Sequence, residues 1–202
     1  MGLFNKNNGQ QMSPRQLLKN RSANGRNNIL IVLAFTAINM VLTITGNGTY
    51  FLFSAFIPYY LVTNGAVLCG MYPEEFYEEV TGAPYHSMEF YDKSYFVIML
   101  AIAIVILAVY LLCWFFSKKE SRRMGWMIGA LVFFSLDTLA MIFLGGIAAD
   151  MIIDYAFHGW VIFSFVSAIL AIRKLKAMPE EVIEAVAYEP VPDTTEQLPP
   201  EE

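Results

Sequence analysis

The sequence predicts an all-α polytopic membrane protein: a bundle of four transmembrane helices with one extracytoplasmic re-entrant or interfacial segment. Three observations predict it. Of 202 residues, 56% are hydrophobic and 15% charged, whereas soluble domains run to roughly a quarter charged. The apolar residues stand in long uninterrupted blocks, not in the amphipathic stripes that a soluble core leaves in a sequence. When four of those blocks cross a bilayer, 12 of the 13 lysines and arginines fall on one side, as the preference of basic loops for the cytoplasm requires.

Residues 1–28 form a basic cytoplasmic segment with Lys6, Arg15, Lys19, Arg21 and Arg26. Ser13-Pro14 reads as the start of a short basic helix on the anionic inner leaflet. The transmembrane bundle runs over 29–176. Crossing about 30 Å of hydrocarbon takes about 20 apolar residues; the blocks at 95–117, 124–149 and 155–172 meet this, and 29–46 nearly does. The first block lacks the small-residue cleavage pattern of a secretory signal, so it is expected to stay as a helix.

The block at 50–69 is harder to place, because Pro58 and the pair Asn64-Gly65 weaken a helix. If it crosses, the basic residues divide 7 to 6; if it stays on the outer side, they divide 12 to 1, with Lys93 alone outside. Four spans with both termini cytoplasmic, in the plasma (inner) membrane, is therefore the reading. Residues 47–94 become an outer segment, and Tyr50, Phe51, Phe53, Phe56, Tyr59 and Tyr60 suit the headgroup level. Any of its backbone at membrane depth must be covered by the other helices. Pro73 followed by Glu74 and Glu75 predicts a short surface helix with Phe76 and Val80 on its apolar side. Residues 177–202 form an acidic cytoplasmic tail, with a short helix over 179–188 and disorder over the Pro- and Glu-rich 189–202.

Several classes are excluded or unsupported. A net charge of −5 gives no basic footprint for nucleic acid. Cys69 and Cys113 sit in or beside different apolar blocks and read as small hydrophobes, not a disulfide. There is no Ser-His-Asp order, nucleotide loop or HExxH motif, so the chain is read as without catalysis of its own. No internal repeat of the kind that marks many transporters is present.

Asp137 is the sharpest functional signal. It stands alone near the middle of its block, where an acidic residue costs about 2.5–3.5 kcal/mol on insertion scales. Counting depth brings Asn39 and Ser164 to the same level, and Thr36, Asn39 and Thr43 share one face of the first helix by their spacing. Two readings stand side by side. One is a proton or cation relay or a substrate-contacting polar cluster. The other is a polar clasp that holds the bundle together, for which an Asp137→Asn chain should remain near native.

A second constellation lies on the outer side. His86 and His158 are the two histidines; Asp150, Asp154 and His158 are spaced by four, and the outer segment adds Glu89 and Asp92. Carboxylate with imidazole suits a divalent metal such as Zn or Mn, and no other cofactor is implied. The competing reading is a hydrated acidic rim with His158 at the interface beside Trp160. Gly125 and Gly129, with Gly145-Gly146, permit close helix packing and a homo-oligomer, and the block at 95–116 should face lipid over much of its surface. The expected partners are the lipid bilayer and a membrane protein or second copy, with no nucleic acid. The function is read as a small transporter-like or accessory membrane subunit. The alternative is a membrane enzyme or sensor with an extracytoplasmic divalent-metal site, and convergence of His86 with His158 would separate the two.

Overall fold

Ser13 opens the first helix as the Ser-Pro pair predicts. Its hydroxyl accepts the Gln16 N–H at 3.2 Å, and Pro14 takes the first helical position, where a missing N–H costs nothing. In the computed structural model, which describes residues 12–47, 49–146 and 149–178, this helix runs unbroken as α1 (Pro14–Ile44). The separate basic surface helix expected near the N-terminus is therefore the first part of α1, since nothing after Pro14 removes a backbone donor. Gly25, a weak helix former, sits where α6 crosses: a Cβ there would lie 2.3 Å from the Ala168 Cβ.

Among the described residues five α-helices follow: α2 (Phe56–Leu68), α3 (Glu74–Thr81), α4 (Lys93–Phe116), α5 (Glu120–Gly145) and α6 (Ile152–Ala177). Among the described residues there is no strand. Helices α1, α4, α5 and α6 are long and apolar enough to cross a membrane. With 13 residues, or about 20 Å, α2 is too short to do so. The expected tail helix at 179–188 and the disorder at 189–202 lie outside the described residues.

Helix α1 packs antiparallel on α6, α5 packs on α6, and α2 lies chiefly against α4. The turn between α4 and α5 is fixed by Arg123, whose Nε donates to the Ser117 carbonyl at 3.1 Å and Nη2 to Lys118 at 3.2 Å. One end of the bundle thus gathers the start of α1, the α4–α5 turn and the end of α6; Arg15, Lys19, Arg123 and Lys176 line one cleft there. We call it the basic end. The opposite, acidic end carries the α1–α2, α2–α4 and α5–α6 connections.

Between the long helices, Ile29, Val32, Tyr110, Met127, Phe134 and Phe165 belong to one buried cluster. A second, with Val62, Ala66, Phe96 and Ala103, fastens α2 to α4. Gly65 lies in that contact: a Cβ on it would meet Met99 Cβ at 3.1 Å. The outward face of α4 shows Val97, Ile98, Ile104 and Val105, in keeping with the lipid-facing expectation for this span. Cys69 and Cys113 are both free and buried.

Three expectations are corrected. Gly125 has open space where a Cβ would be and Gly129 has only Cys113 Sγ at 3.8 Å. Close approach falls instead at Gly25 and Gly65, because α5 packs through Met127, Ala130 and Phe134, while Gly145 keeps the expected closeness, a Cβ there lying 3.0 Å from Met151 Cε. On α3, Val80 is 67% exposed and Tyr77 is the buried anchor; its phenol donates to the Val67 carbonyl at 2.9 Å. Burial pushes that phenol up, so it stays protonated and donating. Finally, α2 runs straight through Asn64-Gly65, where Gly65 lies against Met99 of α4.

Candidate functional site

Helix α1 ends in a turn with Gly46 at φ +70°, and the chain then doubles back along α1. Asn39 holds the returning strand of backbone at Phe51 from both sides: Phe51 N–H donates to Oδ1 at 2.8 Å and Nδ2–H donates to the Phe51 carbonyl at 2.7 Å. Four residues later Ala55 N–H donates to Thr36 Oγ1 at 2.7 Å, while the Thr36 hydroxyl donates to Val32 O at 2.6 Å. Asn39 and Thr36 lie five and eight residues before the end of α1, which is about 8 and 12 Å below the acidic end. The backbone from 51 to 55 is therefore descending into the bundle. Helix α2 starts at that depth and climbs back, for its last carbonyl, Leu68 O, accepts from Tyr91 N–H beside the start of α4. Both limbs open at the acidic end, so this segment is re-entrant.

A helix start leaves backbone donors without internal partners. In α2 every one is accounted for by a distant side chain or by its absence. Ala55 N–H goes to Thr36, Phe56 N–H to Asp137 Oδ2 at 2.7 Å, and Ile57 N–H to Asp137 Oδ1 at 2.8 Å. Position 58 is Pro, with no N–H to satisfy, and Tyr59 is the first residue that can bond within the helix. Pro58, expected to break a helix, thus occupies a first-turn position that suits it. Ala55 offers no capping side chain; the cap is a carboxylate 81 residues away in sequence, placed where the helix carries partial positive charge. Asp137 lies eight residues before the end of α5, about 12 Å, the same depth as Thr36. It is 1% exposed.

No family model, curated protein or solved structure matches the chain.

His158 joins the carboxylate from α6. It is 2% exposed, its Nε2 stands 3.6 Å from Asp137 Oδ2, and its ring stacks on Phe134 at 5.0 Å between centroids. Nδ1–H donates to the Asp154 carbonyl at 2.9 Å, which leaves Nε2 as the nitrogen facing the carboxylate. At 3.6 Å the pair is beyond hydrogen-bond range, and Nε2 is buried with no hydrogen-bond partner among the described residues. The descending limb is pinned by Phe53, a non-glycine residue at φ +68°, a conformation costing about 1–2 kcal/mol. Its ring is held against Phe157 at 3.9 Å and Trp160 at 5.7 Å. Phe53 and Phe56 thus pack against the bundle.

Of the polar cluster read from the sequence, the structure brings Asp137, Asn39 and Thr36 to one short stretch of backbone. Ser164 belongs elsewhere: its Oγ accepts from Asn28 Nδ2, linking α6 to α1 toward the basic end. Thr43 is buried and makes no side-chain hydrogen bond among the described residues. Of the outer constellation, His86 and Glu89 are exposed and Asp154 is half-buried; Asp150 lies in the short turn Ala149–Met151, and His158 faces inward to Asp137. Asp92 caps α4, accepting Ser94 N–H at 2.8 Å, and that bond holds its carboxyl below the usual carboxylate range. Among the described residues no group of three or more His, Cys, Asp or Glu side chains could hold a metal ion.

Sequence reasoning did not find His158 as a partner of Asp137, nor the backbone of 51–57 as the object the polar residues grip. One signal was present: Pro58 in a first turn preceded by Ala55, a helix start with no capping residue of its own. Chemically, the site offers acceptors matched to fixed N–H groups. It is built to hold a segment in place.

Proposed function

We propose that the chain is a non-catalytic membrane subunit, accessory or small and transporter-like, whose outer segment recognises a membrane-protein partner or a second copy. It lies in the plasma (inner) membrane with both termini cytoplasmic. Four helices long and apolar enough to span a bilayer support the membrane setting, and the gathering of basic side chains at one end supports the orientation. The observation that carries the role is the use made of the costly mid-bundle polar groups. Thr36, Asn39 and Asp137 all engage the backbone of 51–57, which supports a scaffold for the outer segment over a path for protons or ions. The metal-dependent alternative draws no support from the described residues, among which no group of three or more His, Cys, Asp or Glu side chains could hold a metal ion.

The orientation is tested by single cysteines at Glu78 and Lys119 in intact cells. An impermeant maleimide should label position 78 and spare 119; labelling at 119 overturns it. Recognition is tested by photo-crosslinking amino acids at Phe51, Val80 and Tyr91 on the outer segment, with Val105 and Phe143 on the lipid-facing surface as controls. A discrete adduct should form from the outer positions and fade in an Asp137→Ala background. Adducts that form from the controls alone, or that ignore Asp137→Ala, would sink this reading.

A further inference from the structure

At the basic end three helices bring cations to one place. Arg15 and Lys19 on α1, Arg123 in the first turn of α5 and Lys176 at the end of α6 line an open cleft of about 130 Å³. Among the described residues that line it Glu120 is the one acidic side chain, and Ile172 and Leu175 give the cleft an apolar wall. Four cationic side chains against one carboxylate leave an excess of three positive charges. Glu120 does little to offset it: its carboxylate is 83% exposed and reaches only Arg123 Nη1, at 4.0 Å. Arg123 already donates to two carbonyls of the α4–α5 turn through Nε and Nη2, so Nη1 is the nitrogen without a backbone partner. Arg15 is more telling, because its Nε and Nη1 are buried and have no hydrogen-bond partner among the described residues. Buried donors are costly to leave unmade, and converging like charges repel, so both features ask for an anion.

We propose that this cleft binds a phosphate group, that of an anionic phospholipid in the leaflet at the basic end. A guanidinium presents paired N–H donors in a fork that fits two oxygens of one phosphate, while the lysines act as point charges. Basic pockets between membrane-spanning helices at this level take anionic headgroups. The apolar wall of Ile172 and Leu175 gives the glycerol and upper acyl chain a surface that a free phosphate would not use. This inference is independent of the reading of the outer segment, which lies at the opposite end.

The full-length protein, purified in a neutral detergent, is melted with added phosphatidylglycerol, with phosphatidylcholine and with inorganic phosphate. Phosphatidylglycerol should raise the melting temperature by at least about 5 °C at a hundredfold excess over its dissociation constant, and the other two by less than half of that. Arg15→Gln should abolish the shift, and Arg173→Gln, an exposed cation outside the cleft, should keep it. If Arg15→Gln fails to fold, Lys176→Gln, at an exposed position, reads the same loss. Inorganic phosphate matching phosphatidylglycerol overturns the lipid source. No shift with any ligand, or a phosphatidylglycerol shift that survives both Arg15→Gln and Lys176→Gln, overturns the site.

Discussion

Replacing Asp137 by Asn preserves size and shape while changing one thing: an acceptor becomes a donor. In the native site each carboxylate oxygen takes one backbone N–H, from Phe56 at 2.7 Å and Ile57 at 2.8 Å. An asparagine can accept only one of them and turns its amide N–H toward the other. Hydrogen bonds to a charged group contribute about 1.5–3 kcal/mol, helix caps about 0.5–2 kcal/mol, and interhelical bonds in membranes average nearer 0.6 kcal/mol with a maximum near 1.7. Weighing the buried, charge-assisted geometry against the membrane average puts Asp137→Asn at about 2 kcal/mol. Asp137→Ala leaves both N–H groups bare and opens a void, about 4 kcal/mol. At about 2–4 °C per kcal/mol for a chain of this size, the melting temperature in detergent should fall roughly 4–8 °C for Asn and 8–16 °C for Ala. Limited proteolysis should show where: new cleavage within 45–57, with α5 and α6 still protected. An Asn variant that melts with the native protein, as the clasp read from sequence alone would have it, refutes the capping assignment.

Other substitutions probe the same clasp and the helix crossings. Thr36→Val, nearly isosteric, strips the acceptor from Ala55 N–H and should cost about 1–2 kcal/mol in the same melt, with Thr36→Ser restoring most of it. Asn39→Asp turns a donor into an acceptor facing the Phe51 carbonyl and should cost about 1–3 kcal/mol, seen as earlier protease cutting near residue 51. Gly25→Ala must push α1 off Ala168 and should destabilise by about 1–3 kcal/mol. Gly125→Ala, facing open space, should be neutral or stabilise by up to about 1 kcal/mol through helix propensity; equal behaviour of the two would contradict the crossing at Gly25.

What was legible in the sequence follows from what a sequence can encode. Long apolar blocks name the spanning helices, and the lysines and arginines name the basic end, because both are properties of side chains at known positions. Helix limits were less legible. Helix α5 starts at Glu120 because charged residues are good helix formers once outside hydrocarbon, and it stops at Gly145 because Gly146 adopts φ +73°, short of the end of the apolar block. The depth of Asp137 was legible; its partners were not, since backbone N–H groups carry no letter of their own. Pro58 misled for the same reason. A proline breaks a helix when its missing donor is needed, and only the contacts of Thr36 and Asp137 reveal that the donors around it are provided for from other helices. His158 was placed at an outer rim by its distance from Asp150 and Asp154, but its position on α6 turns it toward Phe134 and α5.

The cap on α2 also sets a timetable for biosynthesis. Phe56 and Ile57 leave the ribosome with their N–H groups exposed, and the carboxylate that receives them is not made until 81 residues later. At about 5–20 residues per second, that is an interval of about 4–16 s. Throughout it, α1 can offer Thr36 and Asn39, but two backbone donors would stand bare in hydrocarbon, a state lipid does not tolerate. The segment is therefore expected to enter the bundle only once α5 delivers Asp137. A nascent chain arrested before α5 has left the ribosome should keep residues 49–57 open to protease from the acidic end, and one arrested after α6 should not.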